Sequence, residues 1–300
     1  MIRHKLAVTN DCGRFLQVKW LENTNRGRSL IGRFAEGMKR EADFMKMQIF
    51  GQEEHPKILA LHPMLADGQS MVRLAGSLQE EYCILAPDLS GQGADTGEFE
   101  SGSKEAEALF SWLKGKGWLE LELVYGASLG AAVGMRLLAE KELSVKTVVF
   151  DGCPLFKNAP VLTLLLQRMY VKKQKKAREI EGIANKRMTA IYGEVFGPAM
   201  AKSFVSMSEK SLKNIVAACG KCDFPTYPEA LERRMFFEYG EKDFDCRMGK
   251  KNLARYYPRA SLKIRKGYGH CQFMAEQGER YEAVLREYIK WEKTAGGKGS

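Results

Sequence analysis

From residue 45 to residue 153 the chain alternates short apolar runs with stretches whose apolar residues recur at helical spacing, and few folds accept that pattern. The run Lys57-Ile58-Leu59-Ala60-Leu61 has no polar face to offer water, so it reads as a strand covered on both sides. Residues 69–81 then place Met71, Leu74, Ala75 and Leu78 on one helical stripe. Strands are expected again at 82–86, 121–125 and 145–150, with helices at 104–116 and 129–141 between them. Each crossover is long enough to hold a helix, which lets neighbouring strands run parallel with helices on both faces. The expected class is α/β, with a mostly parallel central sheet.

The alternation stops after residue 153. Residues 154–228 hold several helical patterns and no convincing strand. Strands return at 235–239 and 261–265, with helices at 247–256 and 273–291. A helical block inserted between two strands of an open sheet is expected to form a lid over the strand ends, where such sheets bind ligands. The organisation that follows is a core of 45–153 and 229–292 with a helical lid of 154–228. An N-terminal extension of 1–44 precedes it, and a disordered Gly/Ser/Lys-rich tail of 293–300 follows. In the extension, Leu30, Ile31, Phe34 and Met38 share a helical stripe that continues to Met45. A packing arm, an upstream extension and a membrane-surface helix are the alternatives there, with membrane contact the least favoured.

The chain carries 47 Lys and Arg against 37 Asp and Glu, and 13 against 5 of these fall in 154–228. The densest run is Lys172-Lys173-Gln174-Lys175-Lys176-Ala177-Arg178. Such a run attracts nucleic acid, anionic lipid or an acidic substrate. Without interleaved aromatic residues or a nucleic-acid motif, a solvated helix face is the leading reading, and no nucleic acid is expected. No apolar stretch approaches the roughly 20 residues of a membrane span. The basic start Met1-Ile2-Arg3-His4-Lys5 meets Thr9-Asn10-Asp11 before an apolar region forms, so export by a signal peptide is not expected. Seven cysteines, odd in number and scattered, fit reduced thiols in the cytoplasm. The pair Cys219 and Cys222 lacks the second pair that a zinc site needs.

One motif carries chemistry. Gly126-Ala127-Ser128-Leu129-Gly130 lies between an expected strand and an expected helix. A sharp turn there forces Ser128 into strained dihedrals, and glycine at 126 and 130 removes side chains that would collide. The hydroxyl then stands at a helix N-terminus, where the dipole favours a developing oxyanion.

Four further segments accompany this motif. They are Leu61-His62-Pro63-Met64, the stretch from Leu85 to Gly93, Tyr239-Gly240-Glu241-Lys242-Asp243, and Gly267-Tyr268-Gly269-His270. With these, in the order Ser, acid, His, the chain from about 47 to 292 resembles the α/β-hydrolase family. It departs from the family's usual pattern at Pro63, where Gly is usual, and at Gln92, where a Gly-His-Gly is usual. The resemblance implies the α/β-hydrolase fold with Ser128 as nucleophile.

A serine hydroxyl needs a base. His4 lies in the extension, His55 precedes a strand, and His62 ends one. His270, in a Gly-flanked loop after the last strand, is the base by elimination. The resemblance puts the orienting acid at Asp243, while Asp245 and Asp151 remain candidates. It puts the oxyanion hole at the backbone amides of Leu129 and Met64, since Pro63 has no amide hydrogen to donate. No metal-ligand cluster and no G-x-G-x-x-G after a strand are visible, so chemistry without metal or cofactor is expected. The implied activity is that of a serine hydrolase acting on a small or lipid-like carboxylic ester through an acyl-enzyme. Amide, thioester and carbon–carbon bond hydrolysis are alternatives, and a non-catalytic ligand-binding protein on the same fold is the rival reading.

Overall fold

Seven strands form one sheet in the computed structural model, which describes residues 45–92 and 97–291. The expected extension over 1–44 and tail over 293–300 lie outside the described residues. The strands are β1 Met47–Phe50, β2 Lys57–Leu61, β3 Cys83–Pro87, β4 Glu120–Ala127, β5 Ser144–Asp151, β6 Met235–Gly240 and β7 Ser261–Arg265. Their order across the sheet is β1-β3-β2-β4-β5-β6-β7, and every pairing is parallel except β1 with β3. The class is α/β with a mostly parallel sheet.

Strands β2, β3 and β6 are buried along their whole length, as central strands covered on both faces must be. Side chains alternate between the faces. Ile58 and Ala60 join Met71, Leu74 and Tyr281 on one side of the sheet; Leu59 and Leu61 join Leu109 and Val133 on the other. Strand β1 was not among the expected strands. It is a four-residue antiparallel edge strand, half-buried and too short to display an alternation.

The stripe over 69–81 is buried as expected, but the helix under it is broken. A 3-10 turn, Gln69–Met71, leads into α1, Val72–Ala75, and a second 3-10 turn, Gly76–Glu80, follows. The break falls at Gly76, whose φ of 38° and ψ of −131° no helix accommodates. The next helix, α2 Gly102–Lys116, is capped at both ends. The Ser101 hydroxyl accepts from Lys104 N, and Gly117 closes it in the left-handed conformation at φ 71°. Helix α3, Leu129–Leu137, is buried at every residue but Arg136.

Between β5 and β6 run α4 Pro160–Glu179, α5 Ile183–Ser206, α6 Glu209–Cys219 and the short α7 Glu229–Glu232. Helix α5 is bent at Gly193, where φ is 76° and ψ 174°. Gln174 is buried inside α4 and donates to Phe204 O at 2.7 Å and Met207 O at 2.9 Å, which fastens α4 to the end of α5. Phe204, Leu212 and Ile215 bury themselves in the same core as Leu61 and Leu129. Helices α8 Cys246–Tyr256, α9 Gln272–Glu276 and α10 Gly278–Lys290 complete the described fold. Among the described residues no helix is long and apolar enough to cross a membrane.

Because β2, β4, β5, β6 and β7 are mutually parallel, the residues that follow them gather at one edge of the sheet. Those residues begin at His62, Ser128, Gly152, Glu241 and Lys266. Open α/β sheets bind their ligands at that edge.

Candidate active site

Strand β4 ends at Ala127 and α3 begins at Leu129, which leaves Ser128 alone to make the turn. Its φ of 50° and ψ of −109° are strained for a residue with a side chain. The turn closes because the approaching backbones meet no side chain. A Cβ on Gly130 would lie 2.2 Å from Leu61 O, and one on Gly126 would lie 2.8 Å from Ala131 Cα. Ser128 N donates to Asp151 O at 2.8 Å, so the elbow is pinned to the end of β5.

The Ser128 hydroxyl meets His270 Nε2 at 2.8 Å, and His270 Nδ1 meets Asp243 Oδ2 at 2.9 Å. A carboxylate only accepts, so Nδ1 carries the hydrogen and Nε2 is left to accept from the serine hydroxyl. The other Asp243 oxygen, Oδ1, accepts from Asp245 N at 2.9 Å, which fixes the carboxylate plane. The Asp243 side chain is 1% exposed. Burial works against a charged His270, but the Cys271 sulfur and the hydrogen-bonded Asp243 carboxylate work for it, and the net direction is upward from 6.5. Burial pushes the Cys271 thiol itself up to about 12, so at neutral pH the sulfur is uncharged and Asp243 is the source of the field.

The other two candidate acids stand apart from this relay. Asp245 Oδ2 lies 4.0 Å from His270 Nδ1, beyond hydrogen-bond reach, and burial pushes its carboxyl up to about 6. Asp151 makes no hydrogen bond to His270; burial, reinforced by Glu238, pushes its carboxyl up to about 8. A carboxyl mostly protonated at neutral pH cannot balance an imidazolium. The backbone of Asp151 serves instead, its carbonyl accepting from Ser128 N at 2.8 Å and from Cys271 Sγ at 3.5 Å.

Asp243, Asp245 and His270 are also the group of metal-capable side chains that the described residues bring together, their ligand atoms all within 4.8 Å of one another. The His270 nitrogen on that side already donates its hydrogen to Asp243, so it has no lone pair to give an ion. Cys219 and Cys222 are free thiols.

The loop after β2 is braced in a way the sequence pattern did not announce. His62 is fully buried, and burial lowers its pKa, which keeps it neutral. Its Nδ1 donates to Pro63 O at 2.8 Å and its Nε2 accepts from Leu89 N at 3.0 Å. Gln92 Oε1 accepts from Leu65 N at 2.6 Å. Both positions where the chain departs from the usual family pattern therefore take part in holding this loop. The amides of Met64 and Leu129 donate to no protein acceptor among the described residues.

Met64, Ser128 and His270 line a cleft of about 290 Å³ between the sheet edge and helices α4 and α5. Its wall is apolar, built from Met71, Met188, Phe196, Met200, Phe204 and Met274. Tyr170 and Tyr192, which no motif marked, also line it, and each hydroxyl feels the charge of His270.

No family model matches the sequence, and no curated protein matches it. Solved structures do match the fold. A bromoperoxidase from Bacillus anthracis aligns with a TM-score of 0.66 at 17% identity, over 82% of this chain and 95% of that one. An esterase from Exiguobacterium antarcticum aligns with a TM-score of 0.64 at 15% identity, over 82% of this chain and 95% of that one. A protein from Desulfitobacterium hafniense, described as of the α/β-hydrolase family, aligns with a TM-score of 0.63 at 19% identity, over 81% of this chain and the whole of that one.

Proposed function

We propose that this chain, whose fold is that of the α/β hydrolases, is a serine hydrolase cleaving carboxylic esters of small or lipid-like acyl substrates. What carries the reading is the unbroken relay from Ser128 Oγ through His270 to Asp243, with contacts of 2.8 and 2.9 Å. A receptor on this fold would have no chemical need for a strained serine, a base and a buried acid in line. That esterases are among the fold's structural neighbours supports ester over other acyl bonds.

Ser128 Oγ attacks the ester carbonyl carbon while His270 Nε2 takes its proton. The carbonyl electron pair moves onto oxygen, and the amides of Leu129 and Met64 hold the resulting oxyanion. As the carbonyl re-forms, the carbon–oxygen bond to the alcohol breaks, and His270 hands its proton to the leaving group. A water, deprotonated by the same imidazole, attacks the acyl carbon; the bond from that carbon to Ser128 Oγ then breaks, His270 returns its proton to Oγ, and the acid leaves. Asp243 holds the imidazole tautomer and offsets the charge it acquires. The helices from α4 to α6 act as the lid and shape the acyl site. The six cysteines among the described residues, Cys83 and Cys153 included, are free thiols, which favours a reducing compartment, the cytoplasm.

The test is covalent labelling with a fluorophosphonate probe, followed by hydrolysis of a graded series of 4-nitrophenyl esters. Labelling is expected at Ser128, and Ser128→Ala should lose it while kcat falls by something like 10⁴–10⁶-fold. A Ser128→Ala protein that retains parental turnover refutes the mechanism.

A further inference from the structure

The cleft is apolar near the relay and cationic along part of its rim. Lys173 and Lys176 from α4 and Arg187 from α5 line it. Among the described residues none of the three has a carboxylate within ion-pair distance. Of the acids on this side, Glu209 takes Lys213 at 2.6 Å and Lys175 at 4.0 Å, and Glu179, three residues beyond Lys176, makes no ion pair with it. The Lys173 Nζ lies 5.8 Å from the centre of the Tyr170 ring.

The two helices act as a ruler. Tyr170 on the first and Tyr192 on the second line the same cleft as Ser128 and His270. Lys173 and Lys176 follow Tyr170 by three and six residues on α4, and Arg187 precedes Tyr192 by five on α5. At about 1.5 Å per residue, the cations stand roughly 5 to 9 Å along the helices from the tyrosines. Ala177 and Met188, which also line the cleft, lie among the cations and offer methylene-sized contact.

We propose that the acyl chain of the substrate ends in an anionic group, a carboxylate or a phosphate, and that Lys173, Lys176 and Arg187 hold it. The proposal rests on the serine-hydrolase reading of the same cleft. Three unpaired like charges beside a low-dielectric wall repel one another and focus their field into the cleft. An anion arriving at the rim relieves that repulsion, and the planar fork of Arg187 suits the two oxygens of a carboxylate or phosphate. The apolar wall holds the intervening methylenes, and the ester carbonyl is left at Ser128. A neutral chain of equal length gains the wall but nothing from the cations.

The experiment compares hexanoyl 4-nitrophenyl esters whose far end is a methyl, a carboxylate or a phosphate, on the full-length protein. At low salt, kcat/KM for at least one anionic ester is expected to exceed that of the neutral ester by about tenfold or more, mainly through KM. The ratio should shrink as salt rises to about 0.5 M, because exposed charges are screened. Which anion is preferred separates the carboxylate from the phosphate source. Lys173→Glu with Arg187→Glu should reverse the preference towards an ester ending in trimethylammonium, a gain that misfolding cannot imitate. A ratio near one, or a preference that survives both salt and charge reversal, overturns the proposal. If no ester turns over and no probe labels Ser128, it is the hydrolase reading that falls. The cation site is then read by calorimetric binding of decanedioate to the parent and the charge-reversed protein, and equal affinity for the two overturns it.

Discussion

His270 rests against the backbone of Gly152, and a single methyl group placed there tests how finely the relay is set. A Cβ at Gly152 would lie 2.8 Å from His270 Cε1, 3.0 Å from its Nδ1 and 2.9 Å from Cys271 Sγ. To restore ordinary contact at 3.4 Å the ring has to retreat by about 0.6 Å. Both ring nitrogens move with it. The contacts to Ser128 and Asp243, now 2.8 and 2.9 Å, then stretch to the edge of hydrogen-bond range or beyond. A misplacement near 1 Å is worth on the order of 10²-fold in rate, so Gly152→Ala is expected to lower kcat by about 10- to 100-fold. Gly152 also has a φ of +60°, which costs alanine about 1–2 kcal/mol. For a chain of this size that lowers Tm by roughly 2 to 8 °C, leaving the variant folded at assay temperature. Steady-state hydrolysis of a 4-nitrophenyl ester, with a melting curve on the same sample, reads both effects. A folded Gly152→Ala protein with parental kcat would show that His270 has room to spare and that Gly152 does not set its position.

Three further outcomes follow from the same geometry. Asp243→Asn should cost on the order of 10⁴-fold in kcat, and Asp151→Asn and Asp245→Asn far less; a crippled Asp151→Asn would move the acid to the end of β5. For a neutral ester, kcat/KM should rise with pH through one limb as His270 loses its proton. Since the His270 pKa is shifted upward, that limb should centre above 6.5, with activity lost as pH falls through it. A limb centred below 6.5, or one that persists in His270→Ala, contradicts this. Gln92→Ala leaves the buried Leu65 N without its acceptor, a loss of about 1–3 kcal/mol that should appear as a lowered Tm together with a lowered kcat. An unchanged melting curve would remove Gln92 as a brace of the loop.

Runs such as Ile58 to Leu61 or Met235 to Tyr239 could be read because they can satisfy no environment but burial on both faces, and β7, Ser261–Arg265, was expected with the same bounds although it is a largely exposed edge strand. Strand β1 could not be read: four residues at an edge need neither full burial nor a visible period. The elbow was legible because two backbone approaches leave no space for a Cβ at 126 or 130, and only glycine meets that need. The histidine that meets Ser128, His270, could be picked out by elimination among four. The acid could not be chosen from the residues alone, because Asp243 and Asp245 differ by 2.9 against 4.0 Å in their approach to the same nitrogen. That difference is set by a turn, and family resemblance had to stand in for it. The braces at His62 and Gln92 span 27 residues each and leave no local pattern. The basic run was expected to be one solvated face. Helical geometry divides it instead: Lys175 turns to Glu209, Gln174 is buried, and Lys173 and Lys176 reach the cleft.

The helices from Pro160 to Cys219 interrupt the chain between two strands that are already hydrogen-bonded neighbours, Val148 pairing with Met235 and Asp151 with Glu238. The register of that pair therefore owes nothing to what is strung between its members. A lineage that inherits this sheet can lengthen, trim or exchange the insertion while elbow, base and acid stay where the strands set them. One condition limits the exchange: the new piece must refill the hollow now occupied by Phe204, Leu212 and Ile215. Within that condition, the insertion can change without moving the strand ends that carry Ser128 and Asp243. A transplanted cap with matching seam residues should carry its donor's chain-length preference with it and leave the pH dependence of the host unchanged.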